Sequence, residues 1–265
     1  MYDNYQAPQA DWEWLQMLEE QRERESKQPE HQQILGVKIM AIVTMILGNS
    51  GEGKSYSLKN LDPKFAGLIN VMNKPLPFRG GKDIKKMATD NPDQICSMLP
   101  RFKAPIIVID DFQYIMGNEY IKGANQQYKG DAAFQRYNVM AYNAWNVINT
   151  AITQVSNDTR IYILAHVQEE NGRTKIKTIG KMLDDKIVLE GMVTMVLQTA
   201  VREDGHFFMT QNNGFNTVKS PEGMFDSDLI PNDLNAVDDA ICEYYGIPKT
   251  GSLPAQDQSQ QLQTA

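Results

Sequence analysis

The octapeptide GNSGEGKS, Gly48–Ser55, constrains this chain more than any other feature. It fits G-x-x-x-x-G-K-[S/T] in full. Its setting fits as well. The apolar run Ile39–Gly48 before it reads as a buried strand, and Gly53 to about Asn60 after it reads as a helix. Glycines let such a loop curl until backbone N–H groups converge on phosphate oxygens, and a helix N-terminus adds a favourable dipole. Gly48, Asn49, Ser50, Gly51, Glu52, Gly53, Lys54, Ser55 and Tyr56 are therefore the expected phosphate cradle. Lys54 is expected to reach the β- and γ-phosphates and the Ser55 hydroxyl to hold Mg2+. The Glu52 carboxylate is expected to point to solvent.

A second segment completes the pattern. Pro105–Phe112 reads PIIVIDDF. Four apolar residues carry the chain through a sheet centre, and Asp110 emerges at the carboxyl end, where ligands bind in open α/β sheets. Asp110 is expected to hold Mg2+ through water, and Asp111 to polarise an attacking water. The strand RIYILAHV (160–167) ends in His166. A polar residue there senses a terminal phosphate or a bound water, or is simply a hydrogen-bonded strand end.

Strands alternate with helices through the first two thirds of the chain. GLINVM (67–72) reads as a strand, Asp83–Leu99 as a helix and Asp131–Val155 as a long helix. KIKTI (175–179), MVTMVLQTAV (192–201) and HFFMTQN (206–212) read as further strands. Asn213–Pro231 reads as loop, and DLNAVDDAICEYYG (233–246) as a short amphipathic helix. The expected fold is α/β, with a mostly parallel central sheet, flanking helices and an antiparallel C-terminal strand extension. With 42% hydrophobic and 22% charged residues in 265, a packed core is expected. Two cysteines, Cys96 and Cys242, exclude a disulfide scaffold and a Cys-based zinc module and fit a reducing cytoplasm. No apolar stretch approaches the roughly 20 residues a membrane helix needs, and the N-terminus lacks the pattern of a signal peptide, so no membrane partner is expected.

Charge divides the chain. Residues 1–33 carry −5, residues 34–220 carry +5 and residues 221–265 carry −7. The first segment is read as an acidic helical arm whose Trp12 and Trp14 dock on this chain or on a neighbouring subunit. Residues 34–220 form the expected core, 221–253 a loop and helix, and 254–265 a disordered tail. The net charge of −7 speaks against a polyanion, but the basic body keeps nucleic acid open. Gly117–Tyr137 interleaves Tyr120, Tyr128, Phe134 and Tyr137 with Lys122, Lys129 and Arg136. Aromatics that stack bases beside cations that neutralise phosphates suit single-stranded DNA. Inward packing of the same aromatics is the other reading. GRTKIKTIGK (172–181) adds Arg173, Lys175, Lys177 and Lys181. These contact nucleic acid, act in trans on a neighbour's γ-phosphate, or solvate a hairpin.

GNSGEGKS, IIVIDDF and a strand ending in His before a basic hairpin resemble the small RecA-core ATPases of bacteriophages, over about residues 36–212. KTIGKMLDDKIVLEGMVTMVLQ resembles that group's stretch after the sensor strand, and NNGFNTVKSPEGMF its closing segment. The resemblance implies a RecA-like P-loop core, ATP with Mg2+, and self-association into a ring or filament. It also implies action on single-stranded DNA in phage recombination or replication, in the host cytoplasm and beside other phage proteins. Two positions depart from the pattern. Asn73 stands where RecA-type enzymes carry a glutamate, and an amide takes no proton. His166 stands where glutamine is usual. A helicase or helicase-loader motor, a nucleotide-gated module with weak hydrolysis, and a P-loop kinase are the other readings.

Overall fold

The computed structural model describes residues 40–124 and 131–249. The readings for the arm at 1–33, for Tyr128 and Lys129, and for the tail at 254–265 lie outside the described residues.

Among the described residues nine strands form one sheet: β1 (Ile42–Gly48), β2 (Ala66–Asn70), β3 (Lys85–Ala88), β4 (Ile106–Asp110), β5 (Arg160–Glu170), β6 (Arg173–Ile176), β7 (Met195–Arg202), β8 (Gly205–Met209) and β9 (Leu229–Pro231). The order is β3-β2-β4-β5-β1-β7-β8-β9, and β6 pairs with β5 off this path. From β3 to β7 every pairing is parallel; β8, β9 and β6 add antiparallel edges. The helices are α1 (Pro92–Met98), α2 (Gln113–Lys122), α3 (Asp131–Thr153), α4 (Lys181–Asp184) and α5 (Leu234–Tyr245). This is the α/β arrangement, a mostly parallel sheet flanked by helices with antiparallel C-terminal strands, that the sequence predicts.

Two apolar clusters cover the two faces of the sheet. Val43, Met45 and Leu47 of β1 face the side that takes Ile95 of α1, Ile115 of α2 and Ala144, Val147 and Ile148 of α3. Ile46, between them, faces the side that takes Leu58, Leu61 and Leu234, Val237 and Ile241 of α5. A strand buried on both faces needs apolar residues at every position, which is why β1 and β4 read as continuous apolar runs.

The register lines up the chemistry. β5 lies between β1 and β4, and Gly48 is the partner of His166 across β1 and β5. Asn70 is the partner of Asp110 across β2 and β4. β1, β2 and β4 therefore end at one level, where parallel sheets place their ligands, while β5 runs on past His166 to Glu170, beyond the end the sequence reading gives it, because Val167–Glu170 pairs with β6.

The opposite end carries a closed ionic knot. Arg160 donates through Nε to Asp238 Oδ1 (3.0 Å) and through Nη2 to Asp238 Oδ2 (2.9 Å). The Tyr162 hydroxyl donates to the same Oδ1 at 2.6 Å. All three residues are 0% exposed, so α5 is pinned to the start of β5 by fully shared charge.

Three expectations need correction. Asp83–Leu99 is not one helix. It is a 3-10 turn (Gly81–Asp83), strand β3 and helix α1. Lys85–Ala88 pairs with Gly67–Asn70 as an edge strand, and its lysines face water, as edge lysines commonly do. Asn91 then caps α1, accepting from Gln94 N, with Pro92 in the first turn. The segment after the phosphate loop is a 3-10 helix, Ser55–Asn60, because Ser57 Oγ bonds back to Lys54 O (2.6 Å) and the chain is extended at Leu61. The loop expected over Asn213–Pro231 holds β9, which pairs with β8. Among the described residues no helix is long and apolar enough to cross a membrane.

Candidate functional site

The loop between β1 and the 3-10 turn curls back on itself. Gly51 and Gly53 take φ values of 84° and 96°, which residues with a side chain rarely adopt. Gly48 is required for a different reason: a Cβ there would lie 1.8 Å from Thr199 Oγ1. The Glu52 carboxylate does not point to solvent, contrary to the sequence reading. It accepts from Asn49 N (2.7 Å), Asn49 Nδ2 (3.0 Å) and Thr199 Oγ1 (2.7 Å). Burial alone would raise its pKa, but these bonds outweigh burial and lower it. Glu52 therefore ties the loop to β7, a bond that spans 147 residues of chain.

Lys54 is buried beneath the loop. Its Nζ donates to Gly48 O and Asn49 O, both at 2.8 Å. Burial lowers its pKa, against the pull of Asp111, Asp110 and Glu52. Ser55 Oγ donates to both Asp110 oxygens at 3.0 Å. Asp110 is 5% exposed, and among the described residues no cation is in ion-pair contact with it. Burial, with the neighbouring Asp111 charge, pushes its pKa up to about 6. Lys74 and Lys54 pull the other way from a distance. A buried carboxylate with a hydroxyl beside it and no cation in direct contact is a donor set that suits a hard cation such as Mg2+. Ser55 and Asp110 therefore fit the metal the sequence reading assigned to them.

Asp111 differs from its neighbour. It holds the left-handed φ of 65°, uncommon without glycine, and this turns its carboxylate across the strand ends. Lys74 Nζ lies 2.5 Å from Oδ2 and His166 Nε2 lies 3.6 Å from Oδ1. Burial would raise the Asp111 pKa, but His166 and Lys74 outweigh it and hold the carboxyl below its usual range. Such a carboxylate orients a water better than it takes that water's proton. His166 is fixed from behind, since its backbone N donates to Gln113 Oε1 at 3.1 Å and its ring meets Tyr114 edge-on.

These groups border a cavity of about 580 Å³, a size ordinary for a small-molecule site. Ser50, Gly51, Gly53, Lys54, Ser55, Tyr56, Asp111 and His166 all line it, as do Lys74, Pro77 and His206. Tyr56 stands at its rim, with Lys59 Nζ 4.6 Å from its ring centroid. A second cavity of about 410 Å³ shares Ser50 and His166 and is also lined by Lys177, Thr178 and Ile179. Asn73 lines neither. It is exposed, and Lys86 Nζ reaches its Oδ1 at 3.4 Å.

The sequence reading missed Lys74, His206 and the Thr199 bond to Glu52. Lys74 follows β2 in a stretch with no motif. His206 Nδ1 sits 3.2 Å from Glu52 O, from a strand far along the chain. Nothing local marks either.

The cations expected to meet nucleic acid divide into two groups. Lys122 pairs with Asp90 at 2.6 Å, and Arg136 donates to Glu119 O at 3.0 Å and to Tyr120 O. Lys175 pairs with Asp184 at 2.8 Å and with Glu170. Arg173, Lys177 and Lys181 are exposed along the β6 side. Phe134 is exposed on the first turns of α3.

No protein-family model matches the chain, and no curated protein matches it. Among solved structures the chain is similar to a prototypical ATPase from the type III secretion system of pathogenic bacteria, with a TM-score of 0.37 and 8% identity over 61% of this chain and 51% of that one. The chain thus spans about half the length of that relative.

Proposed function

We propose that the chain is a Mg2+-dependent ATPase of the RecA-like type. The observation that carries this reading is the meeting, in one cleft, of Lys54, Ser55 and Asp111, with the buried Asp110 bonded to the Ser55 hydroxyl. Backbone N–H groups of the glycine loop would receive the phosphates. Lys54 would exchange its two carbonyl partners for phosphate oxygens, a stronger charge-assisted contact. Ser55 and Asp110 would hold Mg2+, which supplies neutralising charge at the phosphates. Asp111, with His166 beside it, would orient the attacking water.

The substrate of the resulting motion is proposed to be single-stranded DNA, in phage recombination or replication, with the chain self-associating in a ring or filament. Support comes from the resemblance in the motifs and from the exposed Arg173 and Lys177, on and just after the hairpin that continues the His166 strand, with Lys181 exposed at the start of α4. A terminal phosphate felt at His166 has a short covalent path to that hairpin.

The test is the rate of phosphate release from ATP, with and without single-stranded oligonucleotide, in wild type and Lys54→Ala. Turnover that vanishes in Lys54→Ala supports the ATPase reading, and stimulation by oligonucleotide supports the DNA reading. Nucleotide binding with negligible turnover under both conditions would favour a nucleotide-gated module instead.

A further inference from the structure

Lys74 lines the cleft together with the glycine loop, and no motif accounts for it. Its side chain is 57% exposed, yet its ammonium reaches an Asp111 carboxylate that is only 5% exposed. An exposed lysine gains little from an ion pair, and the pairing alone gives no reason to aim it at a buried acid.

The backbone beneath it is fixed. Asn70, buried at the end of β2, donates from Nδ2 to Lys74 O (2.6 Å) and accepts at Oδ1 from Lys74 N (3.2 Å). This two-bond clamp makes the four-carbon stem, rather than the loop, the movable part. The ammonium lines the same cavity as Lys54, Ser55 and His166. A lysine there is a compact point charge with three donors, suited to a tetrahedral phosphate.

We infer that Lys74 reads the terminal phosphate: its ammonium exchanges the Asp111 carboxylate for the terminal phosphate of a bound nucleoside triphosphate, and the exchange opens Asp111 to the attacking water. This rests on the proposed ATPase reading and adds a residue to it. The driving force is charge. A terminal phosphate presents up to two negative charges and three acceptor oxygens, against one charge on the carboxylate. Asp111 keeps His166 as a neighbour after the exchange. A diphosphate lacks the group that draws Lys74 away, so the lysine stays on Asp111 when the product is bound. No covalent bond changes in this step. The lysine makes the site discriminate between substrate and product.

The experiment is nucleotide binding to the full chain, with Mg2+, measured calorimetrically for ADP and for a non-hydrolysable ATP analogue. Wild type, Lys74→Ala, Lys74→Gln and Lys74→Arg are compared. Lys74→Ala and Lys74→Gln are expected to weaken the analogue about ten- to hundredfold, the worth of a hydrogen bond to a charged group. Both should leave ADP affinity within about twofold. Lys74→Arg should restore part of the preference. A merely structural lysine would weaken both nucleotides together or neither, and either pattern overturns the inference. A thermal melt without nucleotide shows that each variant is folded. Wild type that binds neither nucleotide would instead defeat the ATPase reading itself, a result distinct from any loss confined to the Lys74 variants.

Discussion

Two buried aspartates at opposite ends of the sheet have opposite surroundings. Asp238 is wholly matched: two nitrogens of Arg160 and the Tyr162 hydroxyl occupy its oxygens, and nothing there is exposed. Asp110 has the Ser55 hydroxyl and a like-charged neighbour, and Lys54 and Lys74 act on it only from a distance, with no ion-pair contact among the described residues. Both are nearly free of solvent. The difference teaches where the fold is complete and where it is waiting for something. At the Arg160 end the chain supplies the countercharge itself. At the carboxyl ends of β1 and β4 it leaves a buried carboxylate without a cation in contact, which costs stability unless a cation from outside completes it.

That contrast is broken most severely at the matched end. Asp238→Ala leaves the Arg160 guanidinium buried and unpaired, and the expected loss is about 3–5 kcal/mol. In a chain of this size that is a drop of roughly 6–20 °C in Tm, readable by calorimetry. A change of a degree or less would mean that the knot is not holding α5.

Lys54→Ala tests the site end from the other side. Nucleotide hydrolysis should fall about 10²–10³-fold, the cost of losing one preorganised donor to a developing charge, while the melt of the free protein changes little. Steady-state phosphate release measures it.

Asp110→Asn should behave opposite to Asp238→Ala. Removing the unmatched charge relieves a buried penalty of about 1–3 kcal/mol, so the free protein should melt several degrees higher. The same variant should lose Mg2+-dependent nucleotide binding. Stabilisation together with lost binding is the signature of an acid kept for a ligand. A destabilised Asp110→Asn would make Asp110 structural and erase the comparison.

The smallest effect belongs to Glu52, which is tied within the fold like Asp238 but is partly exposed. Its carboxyl pKa is lowered from an ordinary 4.5. The carboxylate therefore favours the folded state at pH values above 4.5, and that contribution disappears as the pH falls through the lower folded value. Glu52→Gln should cost under about 1 kcal/mol at neutral pH, and the gap to wild type should close on the acid side. Denaturant titrations at several pH values show it, and a gap that widens toward acid would contradict the assignment.

How much of this was legible depends on how far apart the partners sit in the chain. The glycine loop and IIVIDDF are legible because each compresses its requirement into neighbouring residues. Positive φ at Gly51 and Gly53 and an apolar run through the sheet centre leave a mark at fixed spacing. β3 was misread because KKMA carries charges at positions an edge strand shows to water, a pattern that equally suits an exposed helix. Glu52 was misread because its partner Thr199 lies on β7, and no local rule brings a loop to that strand.

The sequence by itself determined the α/β class, the curled glycine loop after β1 and the strand that delivers Asp110. Those follow from local backbone freedom and from apolar runs long enough to cross a sheet. Tertiary structure alone decided that Lys74, Asp111 and His166 meet, and that Asp238 is matched while Asp110 is not. An aspartate carries the same charge wherever it stands. Its role is set by which cations the strand order and register bring within a few ångströms, and that is a property of the assembled sheet.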